Sequence, residues 1–215
     1  QFLFWSSLVS FAVLSLSAFL NGAYRELKII PLKRLSYFAL LGLLGTYLYY
    51  LFLYLGYAEA VGMEVLVVQY SWPVLIVLLS LVVLRERLGL HGIVAIVLGF
   101  GGVTIALTQG QLSQIRVSNP EVILLVAAGA FCFALFSVLS KKIQEQPTLV
   151  VSVYFFAASL ASLASMFYFS DFVIPQRADW LPILLNGVLV NGFSYLLWLQ
   201  ALKTSNASYL APFTY

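Results

Sequence analysis

An all-α, polytopic membrane protein is the fold class this sequence predicts. Three observations carry the prediction: apolar runs of about 20 residues, the length that crosses a hydrocarbon core, very few charges, and basic residues gathered in the short gaps between runs. Of the 215 residues, 62% are hydrophobic and 9% charged, whereas a soluble domain carries about a quarter charged residues. Mean hydropathy is +1.00. A net charge of +3 with a pI near 9.0 would fit nucleic acid in a soluble chain. Here the basic side chains fall in loops, so the charge reports membrane topology, with the lipid bilayer as partner and no nucleic acid.

Taken in order, the runs span residues 2–22, 36–57, 62–84, 91–108, 121–140, 148–169 and 182–202, and an eighth begins near Asn206. The first is a true span and not a cleavable signal, because it lacks a basic leader and is followed by Arg25, Lys28, Lys33 and Arg34. If the loop after it is cytoplasmic, alternate loops collect those four with Arg85, Arg87, Lys141, Lys142 and Lys203, against Arg116 and Arg177 on the other face. That imbalance predicts the orientation. Gln1 stands where a chain start would carry Met, and the eighth run stops after about half the length a span needs. The sequence therefore reads as a fragment lacking both ends.

A polar stretch at 109–120, ending in Ser118-Asn119-Pro120, divides the chain. A shift of 145 residues superposes the first span on the sixth, pairing Ser7 with Ser152, Phe11 with Phe156, Ala12 with Ala157 and Ser17 with Ser162. The same shift pairs Leu40 with Leu185, Gly42 with Gly187, Leu44 with Leu189, Tyr50 with Tyr195, Leu51 with Leu196 and Tyr70 with Tyr215. It advances by five spans, an odd number, so the halves run oppositely across the bilayer. Inverted repeats of this kind are an architecture of secondary transporters. The expected organisation is a first repeat at 1–110 lacking its first helix, an extracytoplasmic linker at 111–120, and a second repeat at 121–215 holding helices six to eight and the start of nine. Ten spans are implied, about seven and a half of them present here.

Three segments carry a family resemblance: Gln-Tyr-Ser-Trp-Pro-Val-Leu at 69–75, Leu-Arg-Glu-Arg-Leu at 84–88 and Gly-Phe-Gly-Gly-Val at 99–103. They resemble the first repeat of EamA-type permeases of the drug/metabolite transporter superfamily, and residues 199–215 resemble the matching part of the second repeat. The resemblance implies two inverted five-helix repeats, both termini cytoplasmic, a central cavity, and export of small metabolites across a bacterial inner membrane. Within the superfamily, Tyr-Ser-Trp-Pro is most similar to the aromatic amino-acid exporters.

Candidate substrate-binding residues follow from polarity at membrane depth. Pro73 removes a backbone donor in mid-span, and a bend of that kind is tolerated where it lines a cavity. Gln69 is an amide deep in a span, where it costs a few kcal/mol unless paired (roughly,); Tyr70 and Trp72 flank it. Tyr47, Tyr50, Tyr54 and Tyr57 follow 3-4-3 spacing, one helical face, and Tyr50 lies deeper than an interfacial belt. The partner span offers Asn191, Ser194, Tyr195 and Trp198 at helical spacing. The expected site comprises Gln69, Tyr70, Trp72, Pro73, Tyr47, Tyr50, Tyr54, Asn191, Tyr195 and Trp198. Glu64, the one charged side chain inside the drawn spans, is a proton or cation site near the outer mouth or a carboxylate reaching the headgroups.

Other features have plainer readings. Ala95, Gly99, Gly102 and Ala106, with Ala127, Ala130, Ala134 and Ser137, are scaffold for close helix packing; Gly99 to Gly102 lacks the strand and lysine of a phosphate loop. A positive-inside anchor accounts for Arg85, Glu86 and Arg87. Cys132, the lone cysteine, is a packing residue, and His91 sits at a helix start. No catalytic, metal or cofactor site is expected. The function predicted is alternating-access transport of a small molecule by a monomer or homodimer. A passive channel shares the polar stripe but does not require inverted halves. A membrane enzyme would need catalytic residues in the missing ends, and a structural role leaves Gln69, Pro73 and the tyrosines without a common purpose.

Overall fold

In the computed structural model, which describes residues 1–111 and 118–215, the elements follow from the apolar runs. Among the described residues, seven helices are long and apolar enough to cross a membrane: Phe2–Leu20, Leu32–Glu59, Gly62–Val83, Leu90–Leu107, Pro120–Ser140, Pro147–Phe169 and Trp180–Thr204. All seven predicted spans are therefore present, with ends shifted by a few residues. Arg116 and most of the predicted linker lie outside the described residues.

Three of these spans are interrupted. The second consists of α2 (Leu32–Gly42), a wide π turn (Leu43–Leu48) and α3 (Tyr49–Glu59). The third is α4 (Gly62–Gln69) and α5 (Trp72–Val83), separated at Tyr70–Ser71. The seventh is α9 (Trp180–Leu185), a π segment (Asn186–Phe193) and α10 (Ser194–Thr204). The uninterrupted spans are α1 (Phe2–Leu20), α6 (Leu90–Leu107), α7 (Pro120–Ser140) and α8 (Pro147–Phe169). α7 and α8 each open with Pro at the first helical position, where its missing N–H costs nothing, and Asn119 caps α7 by accepting from the Val122 N–H. After α10 the short α11 (Ala207–Leu210) continues as a 3₁₀ turn over Ala211–Thr214.

The chain forms two compact units, each drawn from both parts of the sequence. Unit 1 comprises Gln1–Tyr47 and Ile143–Lys203, and unit 2 comprises Leu48–Lys142 and Thr204–Tyr215. In unit 1, α1 packs along α8, with α2 against α8 and the seventh span against α1. Two glycines make these approaches close. A Cβ on Gly42 would lie 2.5 Å from the Tyr154 Cα, and one on Gly187 would lie 2.7 Å from Val9 Cγ1 and 2.8 Å from the Ser6 carbonyl. Gly187 is Gly42 advanced by 145, and Tyr154 is Val9 advanced by 145, so one contact is written twice. Phe11 and Phe156, also 145 apart, meet with ring centroids 5.2 Å apart. The loop at 143–146 is fastened by Arg34 to Glu145 (2.7 Å), the Gln146 N–H to Glu26 (3.2 Å) and Lys203 to the Glu145 carbonyl (2.5 Å).

In unit 2, α7 packs against α3, α4 and α5, and α11 packs on α5. Tyr49, Leu53, Val65 and Val126 form its core.

Gly42→Ala and Gly187→Ala should each destabilise the full-length protein by about 1–3 kcal/mol through overpacking, read as a lower melting temperature in detergent. Gly101→Ala, where a Cβ meets nothing within 4 Å, should melt like the parent; equal melting of all three would refute the close-approach account.

Candidate functional site

A polar and aromatic cluster lies in unit 2, around the interruption of the third span. Pro73 has no N–H to give the Gln69 carbonyl one turn earlier, and the chain tightens there, the Ser71 N–H reaching the Val68 carbonyl at 3.1 Å. The predicted kink is thus a break between two helices, with Pro73 in the first turn of the second. The Tyr215 hydroxyl enters the gap and donates to the Tyr70 carbonyl at 2.8 Å. Tyr70 and Tyr215 are 145 apart, and their rings lie 6.4 Å from each other. Gly99 gives Tyr215 its room, since a Cβ there would stand 2.4 Å from the Tyr215 ring.

Gln69 finds partners of its own. Its Nε2 donates to the Tyr49 hydroxyl at 2.8 Å and its Oε1 accepts from Tyr57 at 3.3 Å. Both halves of the amide are satisfied, which removes the cost of a bare amide in hydrocarbon. Tyr49 is 6% exposed and lies outside the 3-4-3 stripe, so the periodicity gave no hint of it. Its ring meets Phe133 at 4.9 Å, and Phe133 meets Trp72 edge-on at 4.9 Å. Tyr50 packs on Tyr49 at 4.9 Å and on Tyr54 at 5.9 Å. Gln69, Trp72, Tyr50 and Tyr54 are therefore brought together, with Tyr49 and Phe133 as members that sequence reading missed. Only the aromatic spacing of α7 signalled Phe133.

The remaining predicted residues belong to unit 1. Tyr47 ends that unit's first segment and is half-buried. Tyr195 is 5% exposed; its hydroxyl donates to the Gly45 carbonyl at 2.9 Å, and its ring packs edge-on to Phe155 at 5.3 Å. Trp198 is half-buried. Asn191 is 1% exposed, and neither amide atom has a hydrogen-bond partner among the described residues. Asn191 in the π segment and Tyr195 in α10 are buried in the unit's interior, while Ser194 stays exposed.

Carboxylates fasten both ends of unit 2. Glu64, 6% exposed, accepts from the Ser118 N–H at 2.9 Å and the Ser118 hydroxyl at 2.7 Å, just ahead of α7. Here Glu64 is a buried acceptor and does not reach outward to headgroups. Glu86 accepts from the Ala207 N–H (3.1 Å), the Ser208 N–H (2.9 Å) and the Ser208 hydroxyl (2.6 Å), and pairs with Lys141 (3.2 Å). Desolvation pushes its pKa up, but the Ser208 and Ala207 hydrogen bonds and Lys141 outweigh it, leaving the carboxyl below its ordinary range. Glu86 thus seats the segment that ends in Tyr215, a role its basic neighbours hid in the sequence. A cavity of about 830 Å³ beside it, lined by Arg87, His91, Asn206 and Phe213, shares no residue with the aromatic cluster and is not assigned to substrate. Among the described residues, no three His, Cys, Asp or Glu side chains gather as a metal set.

A bundle of apolar spans, three of them interrupted, with an aromatic and amide cluster at one break, is the construction of a multi-pass membrane transporter. The chain belongs to the EamA-like transporter family, which matches residues 1–108 and 121–215. It is 27% identical over 177 residues to the aromatic amino acid exporter YddG of Ancylobacter novellus, covering 81% of this chain and 61% of that protein. It is 31% identical over 150 residues to an Acidianus ambivalens protein described as an uncharacterized transporter in the sor 3' region, covering 67% of this chain and 56% of that one. The chain thus spans about three fifths of the length of these curated relatives. One solved crystal structure shares the fold with a TM-score of 0.80 at 23% identity, covering 98% of this chain and 74% of its own.

Glu86 should make stability depend on pH. Its folded pKa is depressed, so its contribution is complete above the unfolded value, near 4.3, and is lost as pH falls through the folded one. Glu86→Gln should cost about 1.5–3 kcal/mol at pH 7 and flatten the loss between pH 6 and acid. Parallel pH-dependent melts of the two proteins check this, and matching slopes would refute it.

Proposed function

We propose that the full-length protein exports a small metabolite, an aromatic amino acid in first place, across a bacterial inner membrane by alternating access. The observation that carries this reading is the cluster at the broken third span. Gln69, clamped by Tyr49 and Tyr57, sits beside Trp72, Tyr50 and Tyr54. An aromatic side chain stacks on such walls, and the amide, released from one tyrosine, hydrogen-bonds the amino-acid head. The exporter named above supports the substrate class through its similarity to this chain.

Two inverted repeats, at 1–110 and 121–215, are part of the reading. Support comes from contacts related by one shift: Gly42 with Tyr154 and Gly187 with Val9, Phe11 with Phe156, and Tyr70 with Tyr215. The family match also divides at the polar stretch. Both termini of the full-length protein are cytoplasmic in this proposal, because the loops bearing Arg25, Lys28, Lys33, Arg34, Arg85, Arg87, Lys141, Lys142 and Lys203 then lie inside. Asn191, Tyr47, Tyr195 and Trp198 act in unit 1, with Asn191 one of several buried polar groups that have no hydrogen-bond partner among the described residues.

Counterflow of labelled phenylalanine, tyrosine, tryptophan, threonine and a sugar into proteoliposomes holding the full-length protein tests this. Saturable exchange confined to the aromatic amino acids is expected. Gln69→Ala and Trp72→Ala should each cut exchange about tenfold, the equivalent of about 1.4 kcal/mol, and Tyr49→Phe should cut it less. Exchange that never saturates would indicate a channel, and exchange of threonine or sugar alone would sink the aromatic assignment.

A further inference from the structure

The turn after α1, in unit 1, has two unlike faces. Ala23, Leu27 and Ile30 pack with Ala18 and Leu149, whereas Ile29 and Leu32 are 83% and 79% exposed. Arg25, Lys28 and Lys33 are exposed beside them. The other charges of the stretch are engaged within the protein, Arg34 by Glu145 and Glu26 by the Gln146 N–H. Apolar side chains presented next to exposed cations suit the boundary where acyl chains meet anionic headgroups.

A slot of about 170 Å³ opens directly alongside, in the seam of α1 and α8, lined by Phe11, Tyr24, Leu27, Val153 and Phe156. The Phe11 and Phe156 rings, 5.2 Å apart, stand at one end, and Tyr24, 45% exposed, stands at the other, beside the basic turn. The Ser152 hydroxyl on its wall is bound to that of Ser15 at 2.9 Å, which leaves the wall apolar. From Phe11 to the end of α1 at Leu20 is about 14 Å at helical rise, close to the depth of one leaflet, half of a core about 30 Å thick. The slot therefore runs from the headgroup level toward the bilayer middle.

We propose that this seam is a binding site for an anionic phospholipid, with an acyl chain in the slot and the phosphate on Arg25, Lys28 and Lys33. The slot alone would give no selectivity, since lipid tails are as apolar as its wall. The basic turn supplies the preference for negative charge, and the slot fixes the lipid in one place. Ile29 and Leu32 complete the contact by entering the leaflet beside it. This inference rests on the membrane location and not on the substrate.

Native mass spectrometry of the full-length protein, released from micelles containing equal amounts of palmitoyl-oleoyl phosphatidylglycerol and phosphatidylcholine, tests the proposal. The parent should retain phosphatidylglycerol over phosphatidylcholine by about tenfold. A triple variant, Arg25→Gln with Lys28→Gln and Lys33→Gln, should retain the two lipids equally. Val153→Trp, which fills the slot and keeps the charges, should lose retained phosphatidylglycerol at least about fivefold, with Val153→Phe as a milder filling should the first not fold in lipid-free melts. Equal retention by the parent, an unchanged preference in the triple variant, or full retention in the filled slot would each overturn the site. A dimer peak that excludes lipid would assign the seam to a second copy instead.

Discussion

A membrane interior offers no water to backbone groups, so every N–H and C=O at that depth must find its partner inside the protein. The rest of this structure depends on how that demand is met where helices are interrupted. At the break before α5 the Tyr215 hydroxyl serves the Tyr70 carbonyl. At the π turn before α3 the Tyr195 hydroxyl serves the Gly45 carbonyl. At the π segment of the seventh span Ser10 donates to the Gly187 carbonyl at 2.8 Å. Near the ends of unit 2, Glu64 and Glu86 serve the N–H groups of Ser118, Ala207 and Ser208. Each interruption is thus a place where one helix becomes dependent on a side chain from another.

That dependence ties the interruptions to function. A helix whose carbonyl is held by a distant hydroxyl can exchange that partner for another, whereas an unbroken helix has nothing to exchange. The cluster around Gln69 combines this with aromatic walls, and its hydrogen bonds to Tyr49 and Tyr57 are local and replaceable. Asn191 represents the opposite case, a buried amide at a π segment with neither atom bonded among the described residues, where an unpaired amide is costly.

The packing shows the same economy of design. Close helix approach at Gly42 and at Gly187 uses the same relation between a glycine and a residue on the neighbouring span. The turn after α1 combines exposed apolar side chains, Ile29 and Leu32, with exposed cations, which is the ground of the lipid site proposed above. The close helix contacts at Gly42 and Gly187 and the proposed lipid site lie in unit 1, and the aromatic cluster lies in unit 2.

The sequence by itself determined the class, the seven spans and the loops that carry positive charge, because hydropathy and charge act locally and a span must be long enough to cross the core. It also singled out Gln69, Trp72 and Pro73, since an amide or a proline is conspicuous in an apolar run. Only the tertiary structure decided what those residues do. It showed that Pro73 breaks the span outright, that Tyr49 and Phe133 complete the cluster, that Tyr195 serves a backbone carbonyl, and that Glu64 and Glu86 are buried acceptors. The roles of Tyr49, Tyr195, Glu64 and Glu86 were not legible, because each depends on which group elsewhere in the chain, up to 150 residues away, partners a polar atom that hydrocarbon cannot.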